Sequence, residues 1–362
     1  MLDIVLVLAG AALILISIAD VFLAVLYARI GVGLLTPRLY RATWLLLRAI
    51  ARRRGPQGRK LLLSYAGPIM IVETVMVWSL LLQLGFALIY WPALGEGIQA
   101  SSGPTPTDFG TAVYFSGFSF TTLGTGDIVP QSTMYRMLMI LQAWIGFSVL
   151  TLTLTYLMSV YSAVVRRNTL AQTLHHLTGG TGEPVRLLAG MLLGGSEGAK
   201  GQLVPIGSQV LNLLESHHSY PILHYFRMRD DRYALTRVAY ITLETATLIR
   251  TALSSDFHTL KHSSALYLFW GSGCDLLQQV GSSFLDRTQD ESAEREDVRS
   301  FGAALTRLRQ AGIDVSEAQL AKYRVDRQEW FPTLAAFAEL MAYNLDEIIV
   351  AGAEEPCRSD GA

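Results

Sequence analysis

Seven consecutive residues, Thr121-Thr122-Leu123-Gly124-Thr125-Gly126-Asp127, are the part of this sequence best suited to chemistry. That chemistry is coordination: consecutive backbone carbonyls facing one axis can replace the water shell of a cation. A chain holds its carbonyls so only by alternating backbone conformations that ordinary L-residues resist, and Gly124 and Gly126 supply that freedom. The carbonyls of Thr122, Leu123, Gly124 and Thr125, with the Thr122 hydroxyl at the inner end, are the expected ion sites, and Thr121 and Gly126 complete the row. The side chains of Leu123 and Thr125 must then point away from the axis.

The flanking sequence supplies what such a row needs. Residues 108–120 form a short helix, begun by Thr107 or Asp108 as N-cap. The negative end of its dipole points inward and, repeated around a symmetry axis, favours a cation over an anion. The stretch from Thr107 to Pro130 is too short to cross a membrane twice as helices and too apolar for an ordinary exterior loop, so it dips in and returns. Non-helical backbone at membrane depth is tolerated only beside protein or water, which implies a pore or cavity.

Three apolar runs surround this loop. Ile4 to Ala28 is long enough to cross a hydrocarbon layer of roughly 30 Å. Leu61 to Trp91 is a second span, closed by the interfacial aromatics Tyr90 and Trp91, and Thr133 to Val165 is a third. Hydrophobic residues make up 51% of the chain and charged residues only 16%, which favours a membrane protein. The net charge of −1 hides an asymmetry: Arg29 to Lys60 holds nine basic residues and no acid, whereas Asp286 to Asp297 is acidic. No basic stretch precedes the first apolar run, so it reads as a retained helix and not a leader. The basic loop belongs inside, which places the N-terminus outside and the C-terminal half in the cytoplasm of a multi-pass cell-membrane protein.

Within the basic loop, Arg38, Arg41, Arg48 and Arg52 share one helical face, with Leu39, Leu46, Leu47 and Ile50 opposite. A voltage sensor is the sharper reading; a helix lying on the inner leaflet is the plainer one, since these arginines fall outside every apolar span. Asp20 and Glu73 lie inside spans, where carboxylates are costly, and either pair with something or take part in gating.

The central segment resembles the potassium-channel signature, Thr-x-x-Thr-Val-Gly-Tyr-Gly-Asp or a close variant. Ser116, Pro130 and Gly146 also fall where simple two-span potassium channels carry such residues. The resemblance covers about Leu61 to Val165. It implies bound K+ at Thr122, Leu123, Gly124 and Thr125, support of the filter by Asp127, Tyr114, Phe115 and Phe118, and a gating hinge at Gly146. It also implies a homotetramer, since one chain supplies one loop and a carbonyl ring needs four. The sequence departs from the family at Thr125, where selective channels have Tyr or Phe that packs on pore-helix aromatics. Thr125 is too small to reach Tyr114 and Phe115 in that way. Either Phe118 and Phe120 fill the space and preserve potassium selectivity, or the filter is loose and sodium also passes. Gly146 is either the hinge or a close-packing site against a neighbouring helix.

After Arg167 the pattern is soluble and helical, with apolar spacings of three and four in Ala234 to Leu253, His262 to Leu285, Val298 to Leu308 and Trp330 to Ile349. The fold expected is an all-α membrane protein: three transmembrane helices, one re-entrant pore helix and filter per subunit, and an all-α cytoplasmic domain. The segments are 1–30, the first transmembrane helix; 31–60, basic and interfacial; 61–165, the pore domain; 166–352, the cytoplasmic domain; and 353–362, a disordered tail. Inside the pore domain the outer helix is 61–91, the pore helix 108–120, the filter 121–127 and the inner helix 133–165.

All seven histidines follow Arg167: His175, His176, His217, His218, His224, His258 and His262. Only His258 and His262 have helical ligand spacing and no cysteine cluster joins them, so surface or capping roles are preferred to a metal site. Gly179-Gly180-Thr181-Gly182 has no preceding strand and reads as a connector. Cys274 and Cys357 have no metal or redox spacing and read as reduced thiols. No nucleophile and base, Walker loop or carboxylate pair points to an enzyme. No cofactor beyond permeant K+ and no nucleic acid is implied, and no motif names a regulatory ligand for the cytoplasmic half. A weakly selective cation channel, or a non-conducting membrane anchor for a signalling module, are the other readings.

Overall fold

The structure, a computed structural model, describes residues 1–27, 33–284 and 293–350. Arg29, Asp286, Cys357 and the tail expected at 353–362 lie outside the described residues. The protein is an all-α membrane protein with a helical extension. Three helical stretches are long and apolar enough to cross a membrane: Leu2–Leu26, Pro56–Ala93 and Thr133–Leu177. The described chain divides into two units, one of residues 1–53 and 65–161, the other of 54–64 and 162 onward.

In the first unit, α1 (Leu2–Val21) buries a single face, formed by Gly10, Ile14, Ser17 and Asp20 at spacings of three and four. Next comes α2 (Thr36–Ala51), the basic amphipathic helix. A short helix α3 (Pro56–Ser64) belongs to the second unit, and the chain then enters α4 (Ala66–Tyr90). A single turn residue, Tyr65, separates α3 from α4 within the stretch Pro56–Ala93. Helices α1 and α4 cross at glycine: a Cβ on Gly10 would lie 2.4 Å from the carbonyl oxygen of Gly85. Small residues let backbones approach this closely, where packing replaces the hydrophobic drive lost in lipid.

Both intramembrane carboxylates find partners, and both partners hold α2. Asp20, fully buried, accepts from the Leu35 amide at 2.8 Å, the Thr36 hydroxyl at 2.6 Å and the Trp78 indole of α4 at 2.8 Å. It caps the N-terminus of α2 from outside the helix, satisfying donors that every helix start leaves open. Two turns on, the Thr43 hydroxyl donates to Glu73 of α4 at 2.6 Å. The buried face of α2 is thus Thr36, Tyr40, Thr43, Trp44, Leu47 and Ala51. Arg38, Arg41, Leu45, Leu46 and Ile50 remain exposed. The helical wheel sets Leu47 with the exposed leucines; the structure turns it inward, because α2 is docked on α1 and α4.

Two short strands are not apparent from the sequence pattern. β1 (Ile98–Ala100) pairs antiparallel with β2 (Ile128–Pro130), joining Ala100 to Ile128 and Ile98 to Pro130. Between them lie α5 (Phe109–Phe120) and the filter segment. After β2, α6 (Thr133–Leu177) runs unbroken past Val165.

The second unit contains the C-terminal end of α6, then α7 (Pro184–Leu192), α8 (Gly195–Ser219), α9 (Leu235–Thr251), the single turn α10 (His258–Lys261) and α11 (Ser264–Phe284). It ends with α12 (Ala293–Gln310), α13 (Leu320–Gln328), α14 (Phe331–Leu340) and α15 (Leu345–Val350). α9 is its centre, buried on every side from Leu235 to Ile249. Three of its buried threonines return their hydroxyls to their own helix, Thr242 to Val238 O at 2.8 Å, Thr247 to Leu243 O at 2.7 Å and Thr251 to Thr247 O at 2.7 Å, so burial leaves those groups satisfied. Its one acid, Glu244, meets Arg327 at 3.4 Å, and Arg327 also pairs with Asp297.

Candidate functional site

The filter segment hangs from α5, and α5 is fastened at both ends. At its start Asp108 is the N-cap: one carboxylate oxygen accepts from the Thr111 amide at 3.0 Å and the other from the Thr111 hydroxyl at 2.7 Å. Those two bonds hold the Asp108 carboxyl below its usual range, the hydroxyl foremost. At its end the amide of Thr121 bonds back to Gly117 O at 3.0 Å and that of Leu123 to Phe118 O at 2.9 Å.

Laterally, α5 is tied to both long helices through Ser116. Its hydroxyl donates to Gln83 O of α4 at 2.7 Å, and it accepts from the Gln142 amide of α6 at 2.8 Å; the same amide reaches Ser116 O at 2.9 Å. Gln83 in turn donates to Val113 O at 3.2 Å. Ser116 and Gln142 are fully buried, where each such bond matters most. Sequence reasoning marked Ser116 only by resemblance and passed over both glutamines. Their signal was present, since each is an amide in an otherwise apolar run.

From Thr121 to Asp127 every residue is exposed in the single chain. Positive φ recurs at every second position, Thr122 at 57°, Gly124 at 60° and Gly126 at 74°. Alternation of this kind turns successive peptide planes so that consecutive carbonyls share one side of the strand. Glycine accepts such angles freely. Thr122 does not, and a threonine held left-handed costs about 1–2 kcal/mol. No Cβ added at Gly124 or Gly126 would meet another atom, so conformation and not space demands glycine there.

Thr125 is not isolated from the pore helix. The Tyr114 hydroxyl donates to Thr125 Oγ1 at 3.3 Å, and Thr125 donates to Asp127 Oδ1 at 2.6 Å. Asp127 also accepts from the Ile128 amide at 3.1 Å. The Thr125 hydroxyl, then Tyr114 and the Ile128 amide, hold the Asp127 carboxyl below its usual range. A small residue therefore reaches the pore-helix aromatic, by hydrogen bonding where a larger ring would pack.

Phe115 is fully buried, its ring edge-on to Tyr90 at 4.8 Å and to Phe118 at 5.2 Å, and Phe118 stacks edge-on with Tyr114 at 5.3 Å. They form the core behind the filter together with Trp78, Leu82 and Phe86. Phe120 turns to α6 instead: a Cβ on Gly146 would lie 2.4 Å from Phe120 O and 3.1 Å from its ring. Gly146 is thus a close-packing site, and α6 is helical through it. Beyond the filter, Ser101 donates its amide to Asp127 O at 2.8 Å, extending the β1–β2 ribbon to the filter exit.

No group of three or more metal-ligating side chains occurs among the described residues. His258 and His262 stack with ring centres 4.4 Å apart, without further ligands. Cys274 is half-buried, and burial pushes its thiol up to about 12, as expected of an unreactive cysteine.

Residues 73–163 match a family described as "Ion channel", a stretch holding α5, the filter, β2 and most of the flanking helices. Over 253 residues the chain is 25% identical to "Uncharacterized membrane protein YdjJ" of Bacillus subtilis (strain 168), covering 69% of this chain and 71% of that protein. No solved structure matches. Residues 73–163 thus belong to the pore-loop ion channel family.

Proposed function

We propose that four copies of this chain surround a pore that conducts K+ passively across the cell membrane, with the N-terminus outside and the helical extension in the cytoplasm. The observation that carries the reading is the alternation of positive φ at Thr122, Gly124 and Gly126, directly after a helix whose C-terminus points at the same segment. Carbonyls of Thr122, Leu123, Gly124 and Thr125 coordinate the ion, and the negative end of α5 selects its sign. Fourfold closure follows because one chain offers one row of carbonyls. The chemistry is binding and passage, with no bond made or broken, so the chain is read as no enzyme.

Potassium is preferred over sodium because selectivity depends on the number and field of the coordinating carbonyls, and the Tyr114–Thr125–Asp127 chain fixes the outer filter. The competing reading, a weakly selective cation channel, draws on the loss of aromatic packing at Thr125. Reversal potentials of the reconstituted protein under opposed K+ and Na+ gradients separate the two. A wild-type potential near that for K+, unchanged in Thr125→Tyr, supports the proposal; a shift toward K+ in Thr125→Tyr alone identifies a loose native filter. Absence of cation flux from wild type, Gly124→Ala and Gly126→Ala alike would leave the membrane-anchor reading.

A further inference from the structure

The second unit buries a cluster of basic groups that the pore does not use. Arg167, on α6, is 3% exposed; His217, at the end of α8, is fully buried; and His224, on the turn after it, is 3% exposed. The two imidazoles face each other, Nδ1 to Nδ1, at 3.2 Å. Arg167 lies close enough for its charge to oppose protonation of both rings, and Tyr343 stands within reach of the same guanidinium.

What Arg167 and His217 lack, among the described residues, is a negative charge. Arg167 forms no ion pair among the described residues, and its Nε and Nη2 are buried without a hydrogen-bond acceptor; Nε2 of His217 is buried without a hydrogen-bond partner. No carboxylate contributes to the field at Arg167 or His217 among the described residues. A guanidinium keeps its proton at any ordinary pH, so it cannot escape burial by neutralising itself. Buried charges are paired, because an uncompensated one carries a desolvation penalty of several kcal/mol.

The sign of the occupant is set by these neighbours. Two imidazole nitrogens 3.2 Å apart suggest a metal site at first sight, yet the adjacent guanidinium repels a cation and no third ligand of metal-binding type accompanies them. A guanidinium beside the one imidazole Nε2–H that the shared Nδ1–Nδ1 bond leaves free is instead a donor set that recognises an oxyanion.

We propose that Arg167, His217 and His224 form a buried binding site for a phosphate-sized oxyanion, carried either as the free ion or as the terminal phosphate of a small phosphorylated molecule. The site lies on the stretch of α6 beyond Val165, so occupancy fixes that stretch against α8 and the turn after it. It is independent of which cation the filter passes.

The test is equilibrium dialysis of the full-length protein in detergent against radiolabelled inorganic phosphate in chloride buffer of fixed ionic strength near neutral pH. One saturable phosphate per chain, displaced by sulfate, is expected. Arg167→Gln and His217→Gln should each weaken it about tenfold or more, the usual consequence of losing a charge-assisted hydrogen bond. Competition by a nucleoside triphosphate identifies a phosphorylated molecule as an alternative source; competition by sulfate alone restricts the site to free ions. Should Arg167→Gln not fold, the wild-type isotherm with His217→Gln decides. No saturable retention by wild type up to about 10 mM phosphate, weaker than the mildest specific binding, would overturn the site, as would equal retention by wild type and His217→Gln.

Discussion

The hydroxyl of Tyr114 lies 3.3 Å from Oγ1 of Thr125, and that contact joins the pore helix to Asp127 through a single small side chain. Tyr114→Phe keeps the ring against Phe118 and deletes only the donor. One hydrogen bond of this kind is worth about 1 kcal/mol, so the K+ over Na+ permeability ratio should fall roughly fivefold. Thr125→Val, which removes both bonds of the chain, should lower it further, while Thr125→Ser should leave it near wild type. Reversal potentials read all three.

Gln142 ties the inner helix to the pore helix through Ser116. Gln142→Leu fits the apolar surroundings but leaves the Ser116 carbonyl and hydroxyl short of a donor in a buried place. A loss of about 1–3 kcal/mol is expected, the cost of an unsatisfied buried group. Thermal unfolding in detergent measures it, and Gln142→Leu with Ser116→Ala should cost less than the two single changes summed.

Asp20 collects the Leu35 amide, the Thr36 hydroxyl and the Trp78 indole. Asp20→Leu strands all three donors and should release the start of α2, whereas Asp20→Asn keeps an acceptor and should be milder. Limited trypsin cleavage at Arg38 and Arg41 reports the release: faster cutting in Asp20→Leu than in Thr43→Val, which loses only the bond to Glu73.

The buried histidines set a pH window. Burial, and then the charges around it, press His217 well below its usual 6.5; burial and Arg167 bring His224 down to about 4. Below 6.5 the unfolded chain binds protons that the folded chain refuses, so stability is lost as pH falls from about 6.5 toward 4. For His224 a difference of that size corresponds to about 3 kcal/mol. In phosphate-free buffer the unfolding temperature should drop across this window in wild type and stay flatter in the double variant His217→Gln, His224→Gln.

Much of the fold was legible in the residues. The three apolar runs, the short helix before residue 121 and the glycines at 124 and 126 follow from hydropathy, capping and the angles the backbone needs. Thr122 was not legible as a left-handed residue, because nothing in its type asks for that angle; the closure of α5 on Phe118 and Ser119 imposes it. The partners of Asp20 and Glu73 were hidden for a different reason. Thr36 and Thr43 are far from them in sequence, and only the folding of α2 back onto α1 and α4 brings them together. Leu47 shows the limit of a helical wheel: it separates two faces but does not say which one a neighbouring helix will cover.

Gly146 is the one glycine of α6, and no proline interrupts that helix. Its 45 residues make a rod about 67 Å long at roughly 1.5 Å per residue. Gly146 divides the rod into arms of about 20 Å and 46 Å. With the Phe120 carbonyl bearing on the division point, any side chain at position 146 would wedge α6 away from the end of α5.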